Sequence, residues 1–174
     1  MKLIFLDIDW VLIRFWNTSK IRKTRSEKWQ WWMITELDDD LVKNLVRIIV
    51  ETWAFIILSS SWRNSPTLIE RLRDQFYNYS LPDNFSSVDL WGRLIWKTDS
   101  YLWHGRGNEV LNYIMSHNEN CKWGKHINKW VMVDDDDFDS KCVKRLGHFV
   151  HTKTHEGLTD EKTEECIKIL WKII

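Results

Sequence analysis

Asp7 and Asp9 stand one residue apart in the run KLIFLDIDWVL. If the backbone turns out of a strand after Asp7, both side chains reach one site. Two ionised carboxylates about 4 Å apart repel by roughly 4 kcal/mol at an effective dielectric near ~20. A divalent cation or a shared proton must relieve that repulsion. With a hard cation such as Mg2+, one carboxylate can serve as metal ligand and nucleophile while the other moves protons. The plainer alternative is a pair of solvated turn residues at a strand end.

Three further groups carry chemistry. Ser59-Ser60-Ser61-Trp62-Arg63 offers hydroxyl donors and a guanidinium fork suited to phosphate, although the same run also reads as a helix cap before Asn64-Ser65-Pro66. Gly105-Arg106-Gly107 at a helix start puts free N–H groups and a guanidinium on one anion, with an ordinary helix entry as the alternative. Trp130–Val133 ends in Asp134, Asp135, Asp136, Asp137 and then Asp139. These acids lack the glycine and terminal Glu of a calcium-binding loop, and the later ones suit solvent or the cap of a short helix near Ser140 to Arg145. His151 and His155, four apart in a loop, make a poor metal site and are assigned a rim position.

The elements that must position these groups follow from the apolar pattern. Leu3–Leu6, Phe55–Leu58 and Trp130–Val133 are continuous apolar runs, the mark of parallel strands buried on both faces. Ligands of such sheets bind beyond the carboxyl ends of the strands, where each of these runs delivers its polar residues. Asp38, Asp39 and Asp40 suit the positive end of a helix whose apolar positions are Leu41, Leu45, Ile48 and Ile49. Further helices are expected after Pro66, from about Asn108, and at the end around Cys166, Ile167, Ile169 and Leu170. Tyr77 to His104 reads as irregular, with strand-like pieces at Ser87 to Leu90 and Arg93 to Trp96. A last short strand is expected over Gly147 to Val150. The class is α/β.

The chain has 174 residues, 44% of them apolar, and a formal net charge of zero, which fits one globular domain and gives no global pull toward nucleic acid or membrane. Any such attraction is local, and one stretch supplies it. From Arg14 to Trp32 the cations Lys20, Arg22, Lys23, Arg25 and Lys28 alternate with indoles such as Trp29, a combination that can pair phosphates and stack bases. The alternative is a solvated flap whose indoles pack on the domain. Cys121, Cys142 and Cys166 have no CxxC spacing, and no apolar run reaches membrane length. Reduced thiols and a cytoplasmic setting are expected, with no membrane partner. The unusual feature is thirteen Trp beside six Gly. Trp10, Trp53 and Trp103 stand where a turn or strand entry more often takes a small residue.

The order of these groups, carried by FLDID, ILSSSWR, RGNEV, VMVDDD and a late GLT, resembles motifs I to IV of the haloacid dehalogenase (HAD) superfamily, in particular the small HAD domain of Swiss Army Knife RNA repair proteins. The resemblance implies a three-layer α/β/α Rossmann-like fold with a central parallel sheet and a minimal cap. It implies one domain over 1–174 with a small flap insertion at about 14–37. It further implies an Mg2+-dependent phosphomonoesterase working through an aspartyl-phosphate. Asp7 would be the nucleophile and Asp9 the general acid and base. Ser59, less so Ser60, and Arg106 would hold the phosphoryl group beside Arg63. Asp7, the Asp9 carbonyl and Asp134 or Asp135 would hold the metal. Trp10 departs from the Gly that often follows the second Asp. The two possible cap insertions are short, so the site is expected to admit a polynucleotide end, with Arg22, Lys23, Arg25 and Trp29 as its surface. The alternative is an inactive HAD-like module that binds nucleic acid or protein.

Overall fold

The computed structural model describes residues 1–14, 36–77, 79, 90–99, 105–121 and 126–171. Five strands form one sheet: β1 (Lys2–Leu6), β2 (Phe55–Leu58), β3 (Leu94–Lys97), β4 (Lys129–Asp134) and β5 (Phe149–His151), in the order β3-β2-β1-β4-β5. Every pairing is parallel. The side chains alternate between two cores, as the period of two in a strand requires. Ile4, Leu6, Ile56, Leu58, Val131 and Val133 face one side, whereas Leu3, Phe5, Ile57, Trp130 and Met132 face the other. This is why the strand sequences show no polar face.

Helices cover both sides. On the first side lie α1 (Asp39–Thr52), α2 (Pro66–Tyr77), the short α3 (Leu90–Arg93) and α6 (Asp160–Trp171), which contribute Leu45, Ile49, Phe76, Leu90 and Leu170 to the core. On the second lie α4 (Gly105–Asn120) and α5 (Lys141–Arg145), through Val110 and Val143. The result is a three-layer α/β/α sandwich of Rossmann-like type.

The chain moves outward from β1 to β2 and β3, then returns through α4 to β4 on the other flank of β1. The direction of winding therefore reverses between β1 and β4, and parallel sheets bind ligands beyond the carboxyl ends at such a point.

Several boundaries differ from expectation. Helix α4 begins at Gly105, earlier than Asn108, because the Gly107 N–H donates to the Asp139 carbonyl at 3.0 Å and a Cβ there would press on Cys142 and the backbone of Ser140. The close approach selects glycine for packing rather than for a loop. Leu90 opens α3, while 87–89 lie outside the described residues. The final strand spans Phe149–His151.

The flap expected at about 14–37, with Arg22, Lys23, Arg25 and Trp29, falls on 15–35, outside the described residues. Its two flanks are joined. Asp38 N–H donates to the Leu12 carbonyl at 2.8 Å, Arg14 N–H donates to Asp38 Oδ2 at 2.7 Å, and the Arg14 guanidinium pairs with Asp40 and the Glu156 carbonyl. Among the described residues no helix is long and apolar enough to cross a membrane.

Candidate active site

The three strand ends that carry polar residues are held level with one another. Asp7 N–H donates to the Val133 carbonyl at 3.0 Å, and Ser59 N–H donates to the Leu6 carbonyl at 2.8 Å. Beyond Asp7 the backbone leaves the strand in a turn, with the N–H groups of Val11 and Leu12 both donating to the Ile8 carbonyl. At the top of this turn Trp10 adopts φ 62°. The curl that two acids at this spacing require is present.

Asp7, Asp134 and Asp135 converge, each offering a carboxylate oxygen within 4.8 Å of the others. Asp7 and Asp134 are buried. Burial pushes the Asp7 carboxyl well above the usual carboxylate range, and the charge of Asp134 adds to the push while Arg106 opposes it. Asp134 is raised for the same first reason, with Arg106 and the Asp136 N–H pulling back. Asp135, less buried, is also raised by desolvation. Among the described residues, the guanidinium that pairs with this group of three acids is that of Arg106. It pairs with Asp7 and lies 3.6 Å from Asp134 Oδ2. Burial works against the Arg106 charge, but Asp7 and Asp134 hold its pKa above the ordinary value.

A hard divalent cation fits this set. The donors are all carboxylate oxygens, and Asp134 shows the gap such an ion would fill. Its Oδ1 accepts from the Asp136 N–H at 2.9 Å, while Oδ2 is buried with no hydrogen bond. The carboxylate of Asp9 turns elsewhere: Trp62 Nε1 donates to Asp9 Oδ1 at 3.0 Å. Burial raises the Asp9 pKa, and the hydrogen bonds from Trp62 and Ser61 restrain the rise.

The two serines at the end of β2 differ. Ser60 caps the 3-10 turn Ser61–Asn64 by accepting from the Trp62 N–H at 3.3 Å, and its side chain works against the rise of the Asp7 pKa. The Ser59 hydroxyl is buried without a partner, as a donor awaiting an anion would be.

Arg63, expected beside the phosphoryl group, has two of its three nitrogens engaged by the protein: Nη1 donates to the carbonyls of Ser59 at 2.8 Å and Ser60 at 3.1 Å, and Nη2 pairs with Glu109 Oε2 at 2.5 Å, while Nε is buried without a partner. With its side chain 5% exposed, it is a strut beneath the site. Its fork turns back because a buried carboxylate waits on α4, a partner that the strand-end pattern does not reveal. Asp136, Asp137 and Asp139 are exposed, and Asp137 pairs with Lys144. His151 Nε2 donates to the Asp135 carbonyl at 2.8 Å, which fixes the loop that carries the acids.

Two residues of this site carried no role in the sequence reading. Trp62 falls within the cap run, and no spacing rule aims an indole at a carboxylate. Glu109 lay inside a helix, one turn after Arg106, and that interval is the signal that could have found it.

The model of a family described as the HAD domain in Swiss Army Knife RNA repair proteins matches residues 3–163. No curated protein matches the chain.

Proposed function

The chain belongs to that family of HAD domains, and from this footing we propose that it is an Mg2+-dependent phosphomonoesterase acting on the terminal phosphate of a polynucleotide. The observation that carries the chemistry is the convergence of Asp7, Asp134 and Asp135 at the carboxyl ends of β1 and β4, with Arg106 laid against Asp7. Mg2+ bound to Asp7, to Asp134 or Asp135 and to the Asp9 carbonyl would spread the negative charge of the phosphoryl oxygens.

The remaining steps belong to the chain's own side chains. Asp7 attacks phosphorus in line, forming an aspartyl-phosphate as the bond to the leaving oxygen breaks. Asp9 gives its proton to that oxygen. Its carboxyl suits the task, because burial favours the protonated form while the Trp62 N–H on Oδ1 fixes its orientation. Asp9 then takes a proton from water as the water attacks phosphorus, and Asp7 and inorganic phosphate are released. Arg106 holds Asp7 in place and shares the developing charge, and the partnerless Ser59 hydroxyl supplies a further donor to the phosphoryl oxygens.

The substrate class rests on the sequence. A closing cap domain is a sizeable insertion, and neither 15–35 nor the stretch between α2 and α4 is long enough to be one. The first stretch carries Arg22, Lys23, Arg25 and Trp29, whose cations and indole suit a single-stranded end. The test compares kcat/KM on a phosphorylated oligonucleotide with that on a sugar phosphate and on an aryl phosphate, with Mg2+ and with EDTA. The expected result is metal-dependent hydrolysis of all three, fastest on the oligonucleotide, with that preference reduced by raised salt and by Arg22→Ala with Lys23→Ala. Equal rates on all substrates overturn the polynucleotide assignment, and no hydrolysis overturns the enzyme.

A further inference from the structure

Arg63 and Glu109 are an ion pair with both side chains nearly removed from solvent, at 5% and 6% exposure. Desolvating two charges costs several kcal/mol per ion, and a well-packed apolar pair often serves stability as well or better. What the ion pair adds is direction. The guanidinium fork binds the Ser59 and Ser60 carbonyls with one nitrogen and Glu109 with another, so the turn after β2 and helix α4 meet at one planar group. Arg106 lies one helical turn before Glu109 on the same face of α4. The neighbouring Gly107 is seated against Asp139, on the loop after β4, and Cys142, in the first turn of α5. Helix α4 is therefore pinned to both strand ends that flank Asp7.

We propose that Glu109 is a positioning residue for the phosphatase reaction: through Arg63 it sets the rotation of α4 that places Arg106 on Asp7. It also keeps two guanidiniums apart in function. Glu109 pairs directly with Arg63 and acts on Arg106 only through its charge, so that the direct ion pairs of Arg106 are with Asp7 and Asp134. The catalytic part of this statement rests on the proposed function, whereas the placement of Arg106 does not.

The experiment uses Arg63→Met with Glu109→Met, which removes both charges at similar volume. The melting temperature stays at or above the wild-type value. The Arg106 side-chain N–H, followed by NMR, loses its protection from exchange with water. On an aryl phosphate kcat falls about 10²-fold, as a misplacement near 1 Å produces, while KM changes far less. Glu109→Gln, which keeps the shape and removes the charge, gives the same reading if the double variant does not fold, and Glu109→Asp restores part of kcat. Unchanged Arg106 protection in either folded variant overturns the proposal whatever the activity. A wild-type protein without phosphatase activity overturns the reaction and leaves the exchange measurement to decide the positioning.

Trp10 and Trp53 are the two non-glycine residues of positive φ among the described residues, at 62° and 60°. Bulky side chains rarely adopt this region, and the residue that ends a helix in it is usually glycine. Trp53 is such a residue, closing α1 with its N–H on the Ile49 carbonyl, and it is 58% exposed, so burial does not offset the strain. The composition points the same way, with thirteen Trp against six Gly, about half of the usual ~7% glycine.

We infer that the organism's own protein carries glycine at both positions, from UGA codons that one genetic code reads as tryptophan and another as glycine. The test reads the two codons and the masses of the native peptides that span them. UGA codons and glycine masses are expected. A UGG codon or a tryptophan mass at either position overturns the inference there. In the recombinant chain Trp10→Gly and Trp53→Gly each raise the melting temperature, and a fall in both also overturns it.

Discussion

Trp62 donates its indole N–H to Asp9 Oδ1 at 3.0 Å, so the side chain assigned to proton transfer is held by a neutral donor rather than a cation. A hydrogen bond to a charged group contributes about 1.5–3 kcal/mol. It favours the ionised form, so Trp62→Phe raises the Asp9 pKa further. The limb of the kcat/KM profile set by Asp9 should move up by about one pH unit. A limb that stays in place removes Trp62 from this role.

Asp7→Asn should abolish hydrolysis, because the nucleophile is lost at nearly constant volume, and residual activity above about a tenth would exclude Asp7 from that step. Metal-free Asp7→Asn should melt at or above the wild-type temperature near neutral pH, since the change removes one of several mutually repelling buried acids. Asp9→Asn should lose about 10²-fold or more in kcat, the contribution of a general acid and base. Folded, inactive variants separate the chemistry from the scaffold.

The buried acids set a pH dependence for the metal-free protein. Asp7 and Asp134 have folded pKa values raised above the unfolded ones, so between the ordinary carboxylate value near ~4 and neutrality the native state binds more protons than the unfolded chain. Stability must therefore fall as pH rises through that window. Mg2+ compensates for the ionised cluster, and a ligand that binds only the native state raises its stability by mass action. Melting temperatures in EDTA should drop from pH 5 to pH 8, and millimolar Mg2+ should recover most of the loss at the upper end. Curves that coincide with and without Mg2+ at pH 8 would count against the metal site.

The late GLT segment has a mechanical part to play. Gly157 sits at φ 68°, a Cβ on it would lie 3.0 Å from the Val11 carbonyl and press on Leu41, and Leu158 N–H donates to that same carbonyl at 2.9 Å. Gly157→Ala should destabilise by about 1–3 kcal/mol through the strained backbone and the overpacked contact. Chemical denaturation measures it. A loss below about 0.5 kcal/mol, typical of a surface change, would mean that the turn after Asp9 tolerates displacement.

What could be read in advance depended on whether the information was local. The strands ending in Asp7, Ser59 and Asp134 were legible because burial on both faces leaves an unbroken apolar run and the first polar residue marks its end. The acid cluster followed from the same ends, since a parallel sheet brings them level. Arg63 and Trp62 were not legible. Their positions are local, but their partners, Glu109 and Asp9, come from other elements, and residue type does not tell a guanidinium whether to face a ligand or turn back. The start of α4 was misplaced for a related reason: Gly107 looks like a loop residue in sequence and is a packing residue in space.

The join at Leu12, Arg14 and Asp38 closes the base of the insertion that carries the basic and aromatic residues. The entropic cost of bringing the ends of a length of chain together grows only with the logarithm of that length, about 0.6 kcal/mol for each doubling. With its ends already clasped, the sheet is nearly indifferent to what is strung between them. The clasp thereby insulates the site: Asp7 and Asp9, a few residues away, keep their alignment whatever length of chain joins Arg14 to Asp38.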